Sequence, residues 1–444
     1  MIIEFHVKNY RSFREEQTLS LVASNYDKSL PQNLISCDLP GVSDLQVVKA
    51  IALYGPNAGG KTNLIVALLV LRRLVIDSAA GQKPDARLPA DTFRLDRESS
   101  AEPVVFELTF IAEGVRYELA VAFTGQRIIQ ERLVAYPKGR AQIWYDRTWD
   151  DENNRYDWEP EKSNEFERDP GIVAKTRENS LFLSTAAQWN DARIAPVYAW
   201  FRKKLKFLSL GANNLLSHAI TASLLTHSDE VRDFIKKALR SADLGLTDVE
   251  AVEQEADSRL EKLFDSMRNL IDEAGIPAAS IPESTWQVAF EHQGKGGERF
   301  PMNWSNESEG TKRFFSVLGP WLEIVEYDTV LCVDELDTSL HPMLTAELLR
   351  LLFNGKTHSQ LLFTTHNPLL LDKALLRRDQ IWFADKNQTG ESFLYPLTDY
   401  KVRADESLVR GYLSGRYGAV PFIPHGLVED MKPDTKVMEA VDAG

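Results

Sequence analysis

The segment GPNAGGKT at residues 55–62 constrains this chain more than any other stretch. It fits the pattern GxxxxGK[ST], with Gly55, Gly60, Lys61 and Thr62 at the required places. Glycines there let backbone N–H groups turn inward around phosphates. The lysine can reach the β- and γ-phosphates, and the hydroxyl that follows can hold Mg²⁺. The flanks agree. Residues 47–54 (VVKAIALY) form an apolar, β-prone run, and residues 63–76 (NLIVALLVLRRLVI) read as a buried helix whose N-terminus faces the phosphates. Strand, loop and helix together predict an α/β fold built around a phosphate-binding turn.

Three more motifs follow in a fixed order: ESEGTKR (307–313), VLCVDELDTSLHP (330–342) and LLFTTHNP (361–368). Residues 329–333 read as a short apolar strand ending in two acids, Asp334 and Glu335. A strand-end carboxylate suits the water shell of Mg²⁺, and the next carboxylate can orient or deprotonate an attacking water. Residues 360–364 read as another strand, which delivers Thr365 and His366. A histidine at such a point can sense a γ-phosphate, because it donates a hydrogen bond and its charge is tunable near neutral pH.

In this order the motifs resemble the ABC-type ATPases, and within them the SMC/RecF/OLD-like branch rather than transporters. The resemblance implies ATP and Mg²⁺ as ligands. It makes the loop containing Asn57, Gly60, Lys61 and Thr62 the Walker A motif. Residues 333–342 become Walker B plus D-loop, with Asp334 for Mg²⁺ and Glu335 as the catalytic base. His366 matches the switch histidine. ESEGTKR resembles the signature, which places Ser308 and Gly310 against the γ-phosphate bound by another subunit. The opening IIEFHVKNYRSF (2–13) is similar to the first strand and turn of the same branch, where Asn9, Arg11 and Ser12 would lie near the nucleotide.

Some positions depart from the wider pattern. Glu309 and Thr311 stand where transporter signatures carry Gly and Gln, and His341 replaces the usual D-loop Asp. Both departures are familiar in OLD-like proteins. The Q-loop glutamine, a further Mg²⁺ ligand by resemblance, is assigned to Gln188 in LFLSTAAQWN (181–190), after a predicted strand and before a helical stretch. Gln130 in RIIQERL is its rival.

Composition restricts the picture less. A chain of 444 residues with 43% hydrophobic content can bury one large core or two smaller ones. Its two cysteines, Cys37 and Cys332, have no paired spacing, which argues against a disulfide framework or zinc site and for a reducing compartment. The chain starts on a strand pattern rather than a signal peptide. The apolar run 64–71 stops at Arg72 and Arg73, too short to span a bilayer. A cytoplasmic protein without a membrane partner is expected. Net charge of −14 argues against a broad nucleic-acid track, leaving only local basic patches such as FRKKLKF (201–207), which reads as a solvated helix face.

We expect five segments: an N-terminal ATPase lobe with Walker A and a β meander (1–145), a charged loop and Q-loop segment (146–191), a helical insertion (192–280), a C-terminal ATPase lobe (281–400) and a tail (401–444). The meander rests on alternation in residues 104–111, 115–123 and 127–136. Helical spacing dominates residues 192–275, for example 231–239 and 258–272, without sustained heptads, which excludes long coiled-coil arms. Glu250, Glu253, Glu255 and Asp257 read there as a solvated face. The residues after His366 leave no room for the Toprim nuclease domain of OLD nucleases, and resemble the ends of RloA/AbiL-type OLD-like ATPases. Such ATPases stand beside a separately encoded effector, of which a Toprim-like nuclease is one kind, and serve in defence against phage. The fold class expected is therefore α/β: an ABC-type ATPase head with a β-meander subdomain and a helical insertion. It would act as a homodimer or higher homo-oligomer that closes ATP between subunits. A RecF-like ATPase clamping DNA is the alternative.

Overall fold

The computed structural model describes residues 1–81, 83–160, 166–208, 215–242, 245–254, 285–403 and 406–421. Its centre is a six-stranded sheet in the order Leu205–Leu208, Val330–Val333, Gln360–Thr364, Ala50–Tyr54, Ile381–Lys386, Ser392–Pro396. The first five strands are parallel and the last is antiparallel. Both faces are covered, as a parallel sheet requires. Alternation along each strand decides which side chain goes where. Ile51, Leu53, Cys332, Leu362 and Trp382 enter one core, while Ala52, Tyr54, Leu331, Val333, Phe363 and Phe383 enter the other.

The first core is filled by the helix Lys61–Asp77, whose Leu64, Leu68, Leu71 and Val75 are buried against a seven-stranded antiparallel sheet. Full burial of each such side chain contributes roughly 1.5–3 kcal/mol. In that sheet the opening strand Ile2–Lys8 lies between Gln17–Ser20 and Val104–Ala112. The two sheets are stitched at Gln360, which is fully buried. Its Oε1 accepts from the Ile2 N–H at 2.6 Å, and its Nε2 donates to the Ile2 carbonyl at 3.0 Å. The second core packs the helices Glu309–Glu326 and Pro342–Asn354 on the opposite face. A three-stranded antiparallel sheet, Leu246–Gln254, Thr285–Gln293 and Arg299–Asn303, leans on the first of these through Phe290 and Phe315, whose ring centroids are 5.4 Å apart.

Several expectations from the sequence are corrected. The charged segment after residue 145 is no loop: Gln142–Asp150 and Arg155–Glu159 extend the meander as a hairpin. Its acids alternate with Trp149, Tyr156 and Trp158, and that period-2 pattern outweighs the polar composition. The residues LFLST before Gln188 form a helix, Phe182–Gln188, instead of a strand. Its first N–H groups are held by the buried Glu131 carboxylate, which accepts from Phe182 N and Leu183 N and pairs with Arg147. FRKKLKF is no helix face. A π-helical turn, Trp200–Lys204, leads into Leu205–Leu208, the edge strand of the central sheet. The insertion expected to be helical contains the strand Leu246–Gln254, which carries Glu250 and Glu253, while residues 255–284 lie outside the described part. Tyr417, in the tail, is buried and stacks on Phe383.

Candidate nucleotide site

The P-loop hangs from the carboxyl end of the strand Ala50–Tyr54, where ligands of open α/β sheets bind. Two of its glycines are demanded by close approach. Gly55 has φ +153° and a Cβ on it would stand 2.1 Å from the Ala384 carbonyl oxygen; Gly60 has φ +110° and a Cβ there would meet Ser392 Oγ at 2.6 Å. The loop is therefore pressed onto the neighbouring strand, and Gly59 N closes its turn by donating to the Pro56 carbonyl at 3.1 Å.

Lys61 folds back over this loop, and its Nζ donates to the carbonyls of Gly55 and Pro56 at 2.9 and 3.0 Å. Burial pushes the ammonium below its usual value, opposed by the charges of Asp334, Glu335 and Asp337. Phosphate oxygens would give this cation the counter-charge that loop carbonyls lack. Thr62 Oγ1 donates to Asp334 Oδ2 at 2.9 Å, and Thr364 Oγ1 donates to Asp334 Oδ1 at 2.6 Å. A hydroxyl and a carboxylate already in contact fit a magnesium ion, which prefers hard oxygens and fills its remaining positions with phosphate and water.

Glu335 is exposed beside them with φ 53°, in the left-handed region. Its N–H is donated to Thr364 Oγ1 at 2.7 Å, and one carboxylate oxygen, Oε2, accepts from Thr338 Oγ1 at 3.0 Å. His366 leaves the adjacent strand on the same side. Burial, and after it the charge of Lys61, push its imidazole below the usual value, so it is neutral at pH 7. Its protonation is thereby displaced to the acid side of an ordinary imidazole. We expect the rate–pH profile to fall on that acid side, and the non-titrating His366→Gln variant to lack this limb. The same acid limb in both proteins would assign it to another group.

The opening turn reaches the start of the P-loop helix. Asn63 Nδ2 donates to Ser12 Oγ at 2.8 Å, and a cleft of about 340 Å³ is lined by Arg11, Ser12, Asn63, Asp91, Arg94 and Lys386. Asn9 does not face this cleft. Its buried amide donates to the carbonyls of Ser99 and Glu102 and accepts from Phe93 N, so it staples the segment that walls the cleft. Asn57 is exposed at the tip of the P-loop.

Ser308 and Gly310 make no hydrogen bond to the P-loop or to Asp334 among the described residues; they sit at the start of the helix Glu309–Glu326, Ser308 exposed and Gly310 half-buried beside Ser339. Ser308 Oγ accepts from Thr311 N at 3.1 Å, which leaves the N–H groups of Glu309 and Gly310 for a ligand. His341 caps the next helix, accepting from Met343 N through Nδ1, so it performs the capping an Asp would perform there.

Gln188 is not brought to the site. The first turn of its helix is bonded to the far end of the P-loop helix, where Ala79 N donates to Ser184 Oγ at 3.2 Å. A helix from residue 61 to 77 is about 25 Å long, and the single turn from Ser184 to Gln188 covers about 6 Å of that. The glutamine therefore does not reach Thr62 or Asp334. Its rival Gln130 is occupied in the meander, donating to Asp146 Oδ1 at 3.0 Å. Reasoning from sequence also passed over Thr364, Asn63 and Asp91. The threonine closing the apolar strand QLLFT was a usable signal; Asp91 carried none.

A family model described as "AAA domain, putative AbiEii toxin, Type IV TA system" matches residues 50–372, from the P-loop strand to beyond His366. The chain belongs to this family. No curated protein matches it. Among solved structures it is similar to the SMC head domain from Thermotoga maritima, at 14% identity and a TM-score of 0.39 over 90% of this chain and 99% of that one. It is also similar to an SMC head bound to the C-winged helix domain of ScpA, at 12% identity and 0.41 over 89% and 97%. A third is an Smc head domain with an extended coiled coil bound to the C-terminal domain of ScpA, derived from Pyrococcus furiosus, at 11% and 0.37 over 94% and 98%. At these scores the likeness assigns no residue a role. The chain carries an AAA domain of this description on a mixed α/β fold whose P-loop hangs from the central sheet. Among its described residues no helix is long and apolar enough to cross a membrane.

Proposed function

We propose that this chain binds ATP with Mg²⁺, hydrolyses it slowly, and uses ATP-dependent pairing of two copies as a conformational switch. The observation that carries the reading is the division of the site. Lys61, Thr62, Asp334, Glu335 and His366 gather at the strand ends, whereas Ser308 and Gly310 sit at a helix start and make no hydrogen bond to them among the described residues. One copy then offers half of what a γ-phosphate needs, and the helix start of a second copy offers the other half. Lys61 would hold the β- and γ-phosphates, Thr62 and Asp334 the magnesium, and Arg11 with its cleft the rest of the nucleotide. When bound, magnesium supplies neutralisation of charge on the phosphates. Glu335 would accept a proton from the attacking water, and His366 would donate to the γ-phosphate.

The output of such a switch is the restraint or release of a separate effector. The family's toxin–antitoxin description and the resemblance to RloA/AbiL-type proteins support a role in defence against phage, with a Toprim-like nuclease as one fitting partner. The acids after the switch are dispersed and engaged: Asp379 pairs with Arg377, Glu391 with Arg14, and Asp385 accepts from Ala419 N. We therefore expect the purified chain to leave DNA and RNA intact with any divalent metal, and cell toxicity to require co-expression of a neighbouring polypeptide. Metal-dependent cleavage by the chain alone would defeat the effector reading. Hydrolysis strongly stimulated by DNA would favour a clamp of RecF kind instead.

A further inference from the structure

Arg313 lies on the signature helix and is only 2% exposed. A buried guanidinium is tolerated only where its donors are engaged. Burial pushes it down to about 10, against the pull of Glu335 and Asp337, and it stays charged at neutral pH. Its Nη2 donates to the backbone carbonyl of Glu335 at 3.0 Å. The same carbonyl accepts from Thr338 N at 3.1 Å. Glu335 itself stands in the left-handed region, which costs a non-glycine residue about 1–3 kcal/mol and persists only where the surroundings enforce it. The enforcement comes from two sides. The switch strand holds its N–H through Thr364, and the signature helix holds its carbonyl through Arg313. The same helix touches the loop beyond the acid, since a Cβ on Gly310 would stand 3.3 Å from the Ser339 carbonyl oxygen.

We propose that Arg313 is a positioning residue that holds the Glu335 backbone so that its carboxylate faces the water, and thereby ties the signature helix to the base of its own subunit. This rests on the paired-subunit reading above. The tip of that helix closes the neighbour's nucleotide, while its second turn grips Glu335 at home. Closure at one site therefore adjusts the base at the other, and the two sites of a pair do not turn over independently.

The test uses the full chain carrying Arg313→Met, which keeps length without donors, and Arg313→Lys, which restores one donor. Affinity for a fluorescent ATP analogue, ATP-dependent self-association, kcat and KM are measured. For Arg313→Met we expect kcat to fall about tenfold or more, within the range of general-base effects, with affinity and KM changed less than about twofold. Arg313→Lys should recover part of the loss. Unchanged kcat in Arg313→Met overturns the proposal; if that variant does not melt cooperatively, Arg313→Lys carries the same comparison.

Mixed pairs, purified through two different tags, then locate the effect. With Ser308→Arg in one subunit, the surviving site uses that subunit's Glu335 and its neighbour's Ser308. Adding Arg313→Met to the Ser308→Arg subunit should remove most of the remaining turnover, and adding it to the neighbour should remove little. Equal loss in both arrangements, or loss only from the neighbour, overturns the proposal in favour of an effect on the signature itself. If the Ser308→Arg homomer already hydrolyses ATP normally, the paired-site reading is what fails. Arg313→Met in that background still tests the hold on Glu335.

Discussion

Replacing Glu335 by glutamine is expected to leave ATP bound and to stop its hydrolysis. The amide keeps the size and one acceptor oxygen, so the contact from Thr338 Oγ1 and the left-handed backbone survive. What it loses is the ability to take a proton from water, an effect on the order of a hundredfold to ten-thousandfold in kcat. Lys61→Ala should behave in the opposite way. It removes the buried cation that spans the P-loop at Gly55 and Pro56, and nucleotide binding itself should fall below detection. Phosphate release and titration with a fluorescent ATP analogue separate the two outcomes. Wild-type turnover in Glu335→Gln would remove this residue as the base, and retained affinity in Lys61→Ala would remove the P-loop as the phosphate cradle.

Ser308→Arg should bind ATP as the unaltered chain does, yet neither pair nor hydrolyse. Ser308 is exposed and makes no hydrogen bond to the P-loop among the described residues, so the site that binds nucleotide is untouched. The change replaces a small N-cap with a long side chain where a second copy would meet the γ-phosphate, and losing the cap costs the helix only about 1 kcal/mol. Light scattering with and without ATP, in the Glu335→Gln background to prevent turnover, reads the pairing directly. A variant that still pairs on ATP, or an unaltered enzyme that is active as a monomer at low concentration, would end the paired-subunit model.

The candidate site was legible because a phosphate-binding turn is a local pattern. Eight consecutive residues build the cradle, and the acids and the histidine sit at the ends of short apolar strands that announce themselves by composition. Neither needs a long-range contact to be recognised. Asp146–Asp150 and Arg155–Asp157 misled for the opposite reason. Asp146, Asp150, Arg155 and Asp157 alternate with Trp149, Tyr156, Trp158 and the buried Arg147, and polar density concealed the alternation. FRKKLKF misled similarly: Arg202, Lys203 and Lys204 lie on the π-helical turn, Lys206 pairs with Glu323, and Leu205 and Leu208 carry the edge strand into the sheet. Gln188 failed on geometry alone. Its helix sits where Glu131 binds its first turn and Ser184 meets Ala79, at the wrong end of the P-loop helix.

The sequence by itself determined which groups are candidates for phosphate, magnesium and water, since those proposed roles rest on residue type at fixed local spacing. Tertiary structure alone decided how these groups hold one another. Thr364 locks Asp334 and the Glu335 N–H, Arg313 locks the Glu335 carbonyl, and Gln360 joins two sheets across more than three hundred residues of chain. Each of these is a single polar side chain in an apolar setting, and its partner is set by how helices and sheets pack. No spacing along the chain encodes that partner, because burial, which forbids an unpaired polar group, acts only once the core has closed.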